Sequence, residues 1–206
     1  MVINQIPSPT WNWLHMNHVT AEEFEVEKET SIDIRVPDGV RIENRAPRFL
    51  EIKSGAGEDI DAFVRDMGLS CEYIHVPAKT AVEEPLRISV SPSDGEGSAN
   101  MFEIELEENA KLCVIMDFSS EEDACGNLLS LIKYRLKKGA ELSVISTQNL
   151  GDGITFIDDI GGECEDEAAF HLIQLVLGGK NTYLGSRTEL LGKKSTSSAD
   201  MGYLLK

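Results

Sequence analysis

Three stretches, Glu108–Ile115 (ENAKLCVI), Lys138–Ile145 (KGAELSVI) and Glu165–Ile173 (EDEAAFHLI), are variants of one pattern. With Ala110, Ala140 and Ala168 as markers, the copies recur at intervals of 30 and 28 residues. A degraded fourth copy, KKSTSSADM, is expected another 28 on, at Thr196. In each copy a short polar turn leads into an apolar run. Leu112, Leu142 and Phe170 occupy equivalent places, and Ile115, Ile145, Ile173 and Met201 close the copies. A period of this size with strand-forming content predicts a mainly β fold of stacked coils, each unable to bury its apolar face alone. Successive coils would hydrogen-bond about 4.8 Å apart.

Outward from the markers, Met101–Leu106, Asn127–Leu136, Gly153–Asp158 and Thr182–Leu191 read as the strands that precede each copy, so a coil of about 28–30 residues would hold several short strands. Arg87–Ser91 opens the coil region, and Ser91–Asn100 (SPSDGEGSAN) reads as a flexible loop. Residues 81–206 are thus expected to form the β-helix, and residues 1–80 a small mixed α/β segment ahead of it. In that segment Ser31–Val36 alternates apolar and polar residues as a half-buried strand, followed by a Pro37-Asp38-Gly39 turn. Val40–Ile42, Phe49–Ile52 and Glu72–Val76 read as further strands. Asp59–Met67 spaces Ile60, Phe63, Val64 and Met67 at helical intervals, and Gly68 can end that helix. The leader carries Trp11, Trp13, His15 and His18, with Thr10 placed to cap a short helix from Trp11.

Composition narrows the function classes. Hydrophobic residues make up 41% of 206, with no apolar run near the roughly 18 residues a membrane span needs, so no membrane role is expected. The N-terminus has neither the basic region nor the apolar core of a signal peptide, which predicts a cytoplasmic protein. Thirty-six acidic residues against 19 basic ones give a net charge of −17, a field that repels phosphate backbones and argues against nucleic acid as a partner. Cys71, Cys113, Cys125 and Cys164 lack paired spacing, so neither a disulfide framework nor a zinc ribbon is expected.

Nucleotide-cradling, zincin and serine-hydrolase motifs are absent from the sequence. Adjacent carboxylates such as Glu83-Glu84, Glu121-Glu122 and Asp158-Asp159 read as solvated turns on an acidic surface. The repeat alignment sorts the cysteines. Cys164 falls in the slot of Leu106 and Leu136, as a small buried hydrophobe. Cys113 aligns with Ser143, His171 and Ala199. If Leu112 and Val114 face inward, Cys113 and His171 stack on the outer face two coils apart, about 10 Å. That exceeds the reach of one metal ion but leaves a larger cluster or two subunits bridged by the pair. The simpler alternative packs Cys113 inside. Cys113 and His171 are therefore the candidate metal ligands, and no catalytic residue stands out. Cys125, in the SSEEDACGN loop, is expected to be the most accessible thiol. Cys71 and His75 bracket one strand, and His15 with His18 lacks a further donor at matching spacing.

The ordered set Phe102–Ser120 (FEIELEENAKLCVIMDFSS), Leu131–Asn149 (LIKYRLKKGAELSVISTQN) and Phe170–Lys206 (FHLIQLVLGGKNTYLGSRTELLGKKSTSSADMGYLLK) resembles the SufB/SufD family, scaffold proteins of the SUF iron–sulfur assembly machinery. Pro7–Asn17 (PSPTWNWLHMN) is similar to the tryptophan-bearing N-terminal segment of SufD-type members. The resemblance covers most of residues 1–20 and 85–206. It implies a right-handed parallel β-helix and a non-catalytic scaffold acting with the SUF ATPase and a paralogous scaffold subunit, or as a homodimer. It also implies a transient iron–sulfur cluster at a subunit interface. Family members continue past the GYLL-like coil into more β-helix and a helical domain, so this chain is expected to be the front part of a longer protein or to have its last coil covered by a partner. Two other classes compete: a carbohydrate-active β-helix enzyme, disfavoured by only 6% aromatic residues, and a structural or adaptor solenoid.

Overall fold

The computed structural model, which describes residues 1–3, 18–21, 24–26, 28–92 and 95–204, stacks the repeat into a β-solenoid of about five turns. The helix expected at Trp11, its Thr10 cap and His15 lie outside the described residues. Each coil contributes two strands, one to each of two sheets. Numbered in chain order, the first sheet runs β4 (Ile32–Arg35), β7 (Leu86–Val90), β9 (Lys111–Ser119), β11 (Glu141–Asn149), β13 (Ala169–Val176) and β15 (Thr196–Tyr203). The second runs β5 (Arg41–Arg45), β6 (Cys71–Val76), β8 (Glu96–Leu106), β10 (Cys125–Leu136), β12 (Gly153–Cys164) and β14 (Asn181–Leu190), with β3 (Lys28–Glu29) also on β8. From β6 and β7 onward every pairing is parallel, while β4 and β5 join antiparallel at the first edges. A separate short hairpin pairs β1 (Val2–Ile3) with β2 (Val19–Thr20).

The marker alanines sit at the corners, and the corners explain the repeat. Ala110, Ala140 and Ala168 are fully buried, each donating its N–H across its own turn, to Glu107, Lys137 and Glu165 respectively. The residue before each alanine has positive φ: 57° at Asn109, 67° at Gly139 and 59° at Glu167. Glycine takes that conformation freely and asparagine nearly so, while Glu167 carries the steric cost of a left-handed backbone. The stack holds it there. Asn109, Gly139 and Glu167 donate their N–H groups to Lys138, Asp166 and Lys193 of the next corner, at 2.8–2.9 Å. The short ENA, KGA and DEA signatures are thus the sequence trace of one turn, repeated and bonded to itself.

Within the strands, alternation sends every second side chain inward. Leu112, Val114, Met116 and Phe118 of β9 face Ile132, Tyr134 and their neighbours across one continuous core, where Tyr134 stacks on Phe170 with ring centroids 4.2 Å apart. The expected register holds through three copies: Leu112 pairs with Leu142 and Leu142 with Phe170, and Ile115, Ile145 and Ile173 align likewise.

Four expectations are corrected. The fourth copy is out by one: Ala169 pairs with Thr196 and Gln174 with Met201, so Ile173 meets Asp200 instead. The cause lies in the connections. Gln148 pairs with Val176 but Thr155 with Asn181, so the link into β14 is two residues shorter than its predecessor, and the following corner returns only one. The segment Ser91–Asn100 is not all loop, because Glu96–Asn100 begin β8 and Ser98, Ala99 and Asn100 are buried. Each coil holds two strands of mostly 8–12 residues rather than several short ones. Phe49–Ile52 forms a buried turn closed by Ile52 N–H to Phe49 O at 3.1 Å, not a strand. Its backbone is diverted by Glu103, whose carboxylate accepts from the N–H groups of Arg48 and Phe49, both at 2.6 Å.

That turn leads into α1 (Glu58–Met67), one residue longer than expected and ended by Gly68 at φ 62°. Turn and helix lie over the outer face of the second sheet, where Ile60 and Val64 pack in one cluster with Leu129, Leu131 and Ile157. Contact there is so close that a Cβ on Gly55 would lie 2.0 Å from Ser186 N. One sheet therefore has a covered outer face. No helix among the described residues is long and apolar enough to cross a membrane.

Candidate functional site

The column expected to carry chemistry exists. Leu112 and Val114 face the core, so Cys113 turns outward on the first sheet, half-buried, in register with Ser143 and then His171. The alternative that packs Cys113 inside is thereby corrected by simple strand alternation. The shifted fourth copy puts Ser198, not Ala199, beside His171, and His171 Nδ1 lies 2.9 Å from Ser198 Oγ. Two strand spacings separate Cys113 from His171, about 10 Å. No group of three or more His, Cys, Asp or Glu able to hold a metal ion occurs among the described residues. The column offers isolated donors on an open sheet face. It is also remote from the cavity of about 800 Å³ lined by Val176–Lys180 and Met201–Leu204, which neither residue borders.

Burial ranks the four thiols. Burial pushes Cys71 up to about 12, reinforced by the Glu103 carboxylate, and pushes Cys164 to about 11. Burial also raises Cys113, with Arg87 pulling the other way. Cys164 pairs with Leu136 in the expected leucine slot and is fully buried. Cys125 begins β10 and is exposed. Only thiolates attack electrophiles. A thiol-reactive probe at mildly alkaline pH should therefore label Cys125 first and Cys113 more slowly. Cys71 and Cys164 should react only on unfolding, as peptide mass spectrometry would show. Rapid labelling of Cys164 in the native chain would contradict its inward placement. Cys71 and His75 line up along β6 without forming a site: His75 sits 3.6 Å from Glu107 and stacks on Tyr73.

Sequence reasoning missed the buried charges. Asp158 and Asp159 were expected in a solvated turn, yet they lie mid-strand in β12, 1% and 0% exposed. Opposite faces receive them. Asp158 points between the sheets, accepting from Gln174 Nε2 at 2.9 Å and Ser146 Oγ at 3.2 Å, and among the described residues its other oxygen accepts no hydrogen bond of ordinary geometry. Asp159 points outward under the 52–57 turn and accepts from Ala56 N–H at 2.8 Å. Desolvation lifts both carboxyls to about 6. Lys133, only 1% exposed, donates to Ile52 O at 2.6 Å and Asp61 at 2.5 Å, and its charge restrains Asp159. One row away, Glu103 is fully buried and paired with Arg45 at 3.0 Å. A usable signal was present: Asp-Asp flanked by Phe156, Ile157 and Ile160 in an otherwise apolar strand is not turn composition. These groups anchor the covering turn and helix. They form no opening toward Cys113 or His171.

Residues 89–206 match the family described as "SUF system FeS cluster assembly, SufBD core domain". The chain belongs to the SufB/SufD family. The matched span starts inside β7 and takes in all the parallel coils that follow, so it covers the solenoid beyond its first coil. Membership gives the chain a role in SUF iron–sulfur cluster assembly and places Cys113 and His171 on the SufBD core. A comparison with curated protein sequences returned no significant match.

Proposed function

We propose that this chain is a non-catalytic scaffold subunit of the cytoplasmic SUF system, working with the SUF ATPase and a paralogous scaffold subunit to build iron–sulfur clusters. The SufBD core match across residues 89–206 carries the reading. The chemistry of the outer column supports it. Cys113 and His171 are soft and borderline donors that suit iron and sulfide, and they are spaced so that each contributes one ligand to cargo completed by another subunit. The Ser198 hydroxyl beside His171 Nδ1 leaves Nε2 as the nitrogen to ligate. Cys113, raised by burial, gives up its proton as it binds.

The test is co-expression with an ATPase and a paralogous scaffold of the same system. A stable complex is expected, and anaerobic addition of iron and sulfide to it should give visible absorption that falls in Cys113→Ser and His171→Ala. The chain alone should give little. Purification of the full-length gene product free of both partners would overturn the reading, as would depolymerisation of a polysaccharide.

A further inference from the structure

We propose that the 52–57 turn is a proton-responsive flap on the second sheet, shut while Asp159 is protonated and opening more readily once Asp159 ionises, because only the open turn lets water reach that carboxylate. Charge pairing beneath the turn singles Asp159 out. Two cations lie there, and each already has a carboxylate. Lys133 of β10 meets Asp61 of α1, and Arg45 of β5 lies 3.0 Å from Glu103 of β8. Asp159 is a third carboxylate in this set. Lys133 favours its charged form, while Asp61 opposes it. The remaining charged groups on the surrounding elements are engaged elsewhere or face solvent. Arg187 of β14 pairs with Glu189 at 3.0 Å, Lys53 with Glu58 at 3.4 Å and Glu51 with Arg135 at 3.0 Å. Asp59 takes the Val2 N–H, and Arg65 and Asp66 are exposed.

The hydrogen bonds of Asp159 tie its charge to the turn. Oδ1 accepts from Ala56 N–H at 2.8 Å, a donor that belongs to the turn itself. Among the described residues the other oxygen accepts no hydrogen bond of ordinary geometry. The neighbouring Ser54 hydroxyl has a single proton and gives it to Asp61 at 2.9 Å. A buried carboxylate left short of donors is costly, and a neutral carboxyl far less so. Water entering through a raised turn would supply the missing donors.

The turn is built to move without unseating its neighbours. Its bonds to the second sheet besides that of Ala56 run from Gly55 N–H to Ile160 O at 3.2 Å and from Lys133 Nζ to Ile52 O at 2.6 Å. Gly57, at the start of α1, has φ 113° and nothing within 4 Å of where a Cβ would stand, which leaves it free to hinge. Beyond the hinge, Ile60 and Val64 keep α1 seated in its apolar cluster.

The sign follows from the two states. Under the closed turn Asp159 titrates at about 6, against an ordinary 3.8 in water. Closure is therefore firmest below about pH 4, weakens between 4 and 6, and is level above 6. From pH 4.5 to 7 the opening constant should rise about twentyfold.

This proposal stands apart from the cluster-assembly reading, since the flap and the Cys113–His171 column lie on different sheets. The test is amide hydrogen exchange on the whole chain by NMR at pH 4.5, 5.5 and 7, corrected for intrinsic rates. Protection of Gly55 and Ala56, taken relative to the amides of β11, should fall about twentyfold across that range. Asp159→Asn should flatten the response. Asp158→Asn should leave it intact, because that carboxyl points between the sheets. A further reading needs no variant: the fall should level off at the pH where the Ala56 N–H resonance titrates, since that group is bonded to Asp159. Protection at Gly55 indifferent to pH overturns the proposal, as does an equal change in the β11 amides or a response that survives Asp159→Asn.

Discussion

Leu142→Asp should leave no cooperatively folded solenoid at room temperature. Leu142 is fully buried, held in register between Leu112 and Phe170 on the neighbouring coils. The change removes about 2–3 kcal/mol of side-chain burial and adds the desolvation of a carboxylate with no partner, several kcal/mol more. Together they rival the roughly 5–15 kcal/mol total stability of a typical domain. Stacked coils are stabilised by their neighbours, so damage to one interface spreads to the coils on both sides. Two controls fix the meaning. Leu142→Ala should cost about 2–5 kcal/mol and still fold. Ser143→Asp, one residue away on the outward face, should shift stability by no more than about 0.5 kcal/mol. Thermal and urea melts followed by circular dichroism decide the matter. If Leu142→Asp melted with its parent, the inward register of β11 would be wrong.

The solenoid was legible because its defining features are local and repeated. A left-handed corner residue, a buried alanine after it and alternating apolar positions recur with nearly constant period, and each needs only a few residues to be seen. The period fails where the chain drops two residues before β14 and returns one, a change visible only once strand pairing is known. Phe49–Ile52 misled for another reason. Its apolar composition fits a strand, but the buried Glu103 takes the N–H groups of Arg48 and Phe49, and no local pattern announces such a partner. For Asp158-Asp159 the error was one of frequency: adjacent carboxylates in an acidic chain usually belong to solvent. The apolar flanks outweighed that habit. The repeat aligned Cys113, Ser143 and His171 but left open whether Cys113 packs inside, and only the buried Leu112 and Val114 on either side of it turn the column outward.

The second large effect is expected at Lys133. Its ammonium lies under the turn that carries α1, bonded to Ile52 O and Asp61 and restraining Asp159. Removing one partner of a buried charge group typically costs about 3–5 kcal/mol, mostly for the charge left behind. Lys133→Ala should therefore destabilise the chain strongly, and Lys133→Met slightly less because methionine keeps the packed stem. The pH dependence identifies the cause. Asp159 has a folded pKa of about 6 against an ordinary 3.8, so the folded state binds its proton more tightly than the unfolded chain does. Its effect on stability is absent below about 4 and grows unfavourable as pH rises toward 6. Without Lys133 the folded pKa moves higher, and that loss continues above 6. The gap between parent and Lys133→Met should thus be small near pH 4 and widest near pH 8, in urea melts at each pH. Asp159→Asn in the Lys133→Met background should recover part of the loss at pH 8 and little at pH 4. A gap independent of pH would mean that Lys133 acts through packing alone and that its charge does nothing to hold the covering turn.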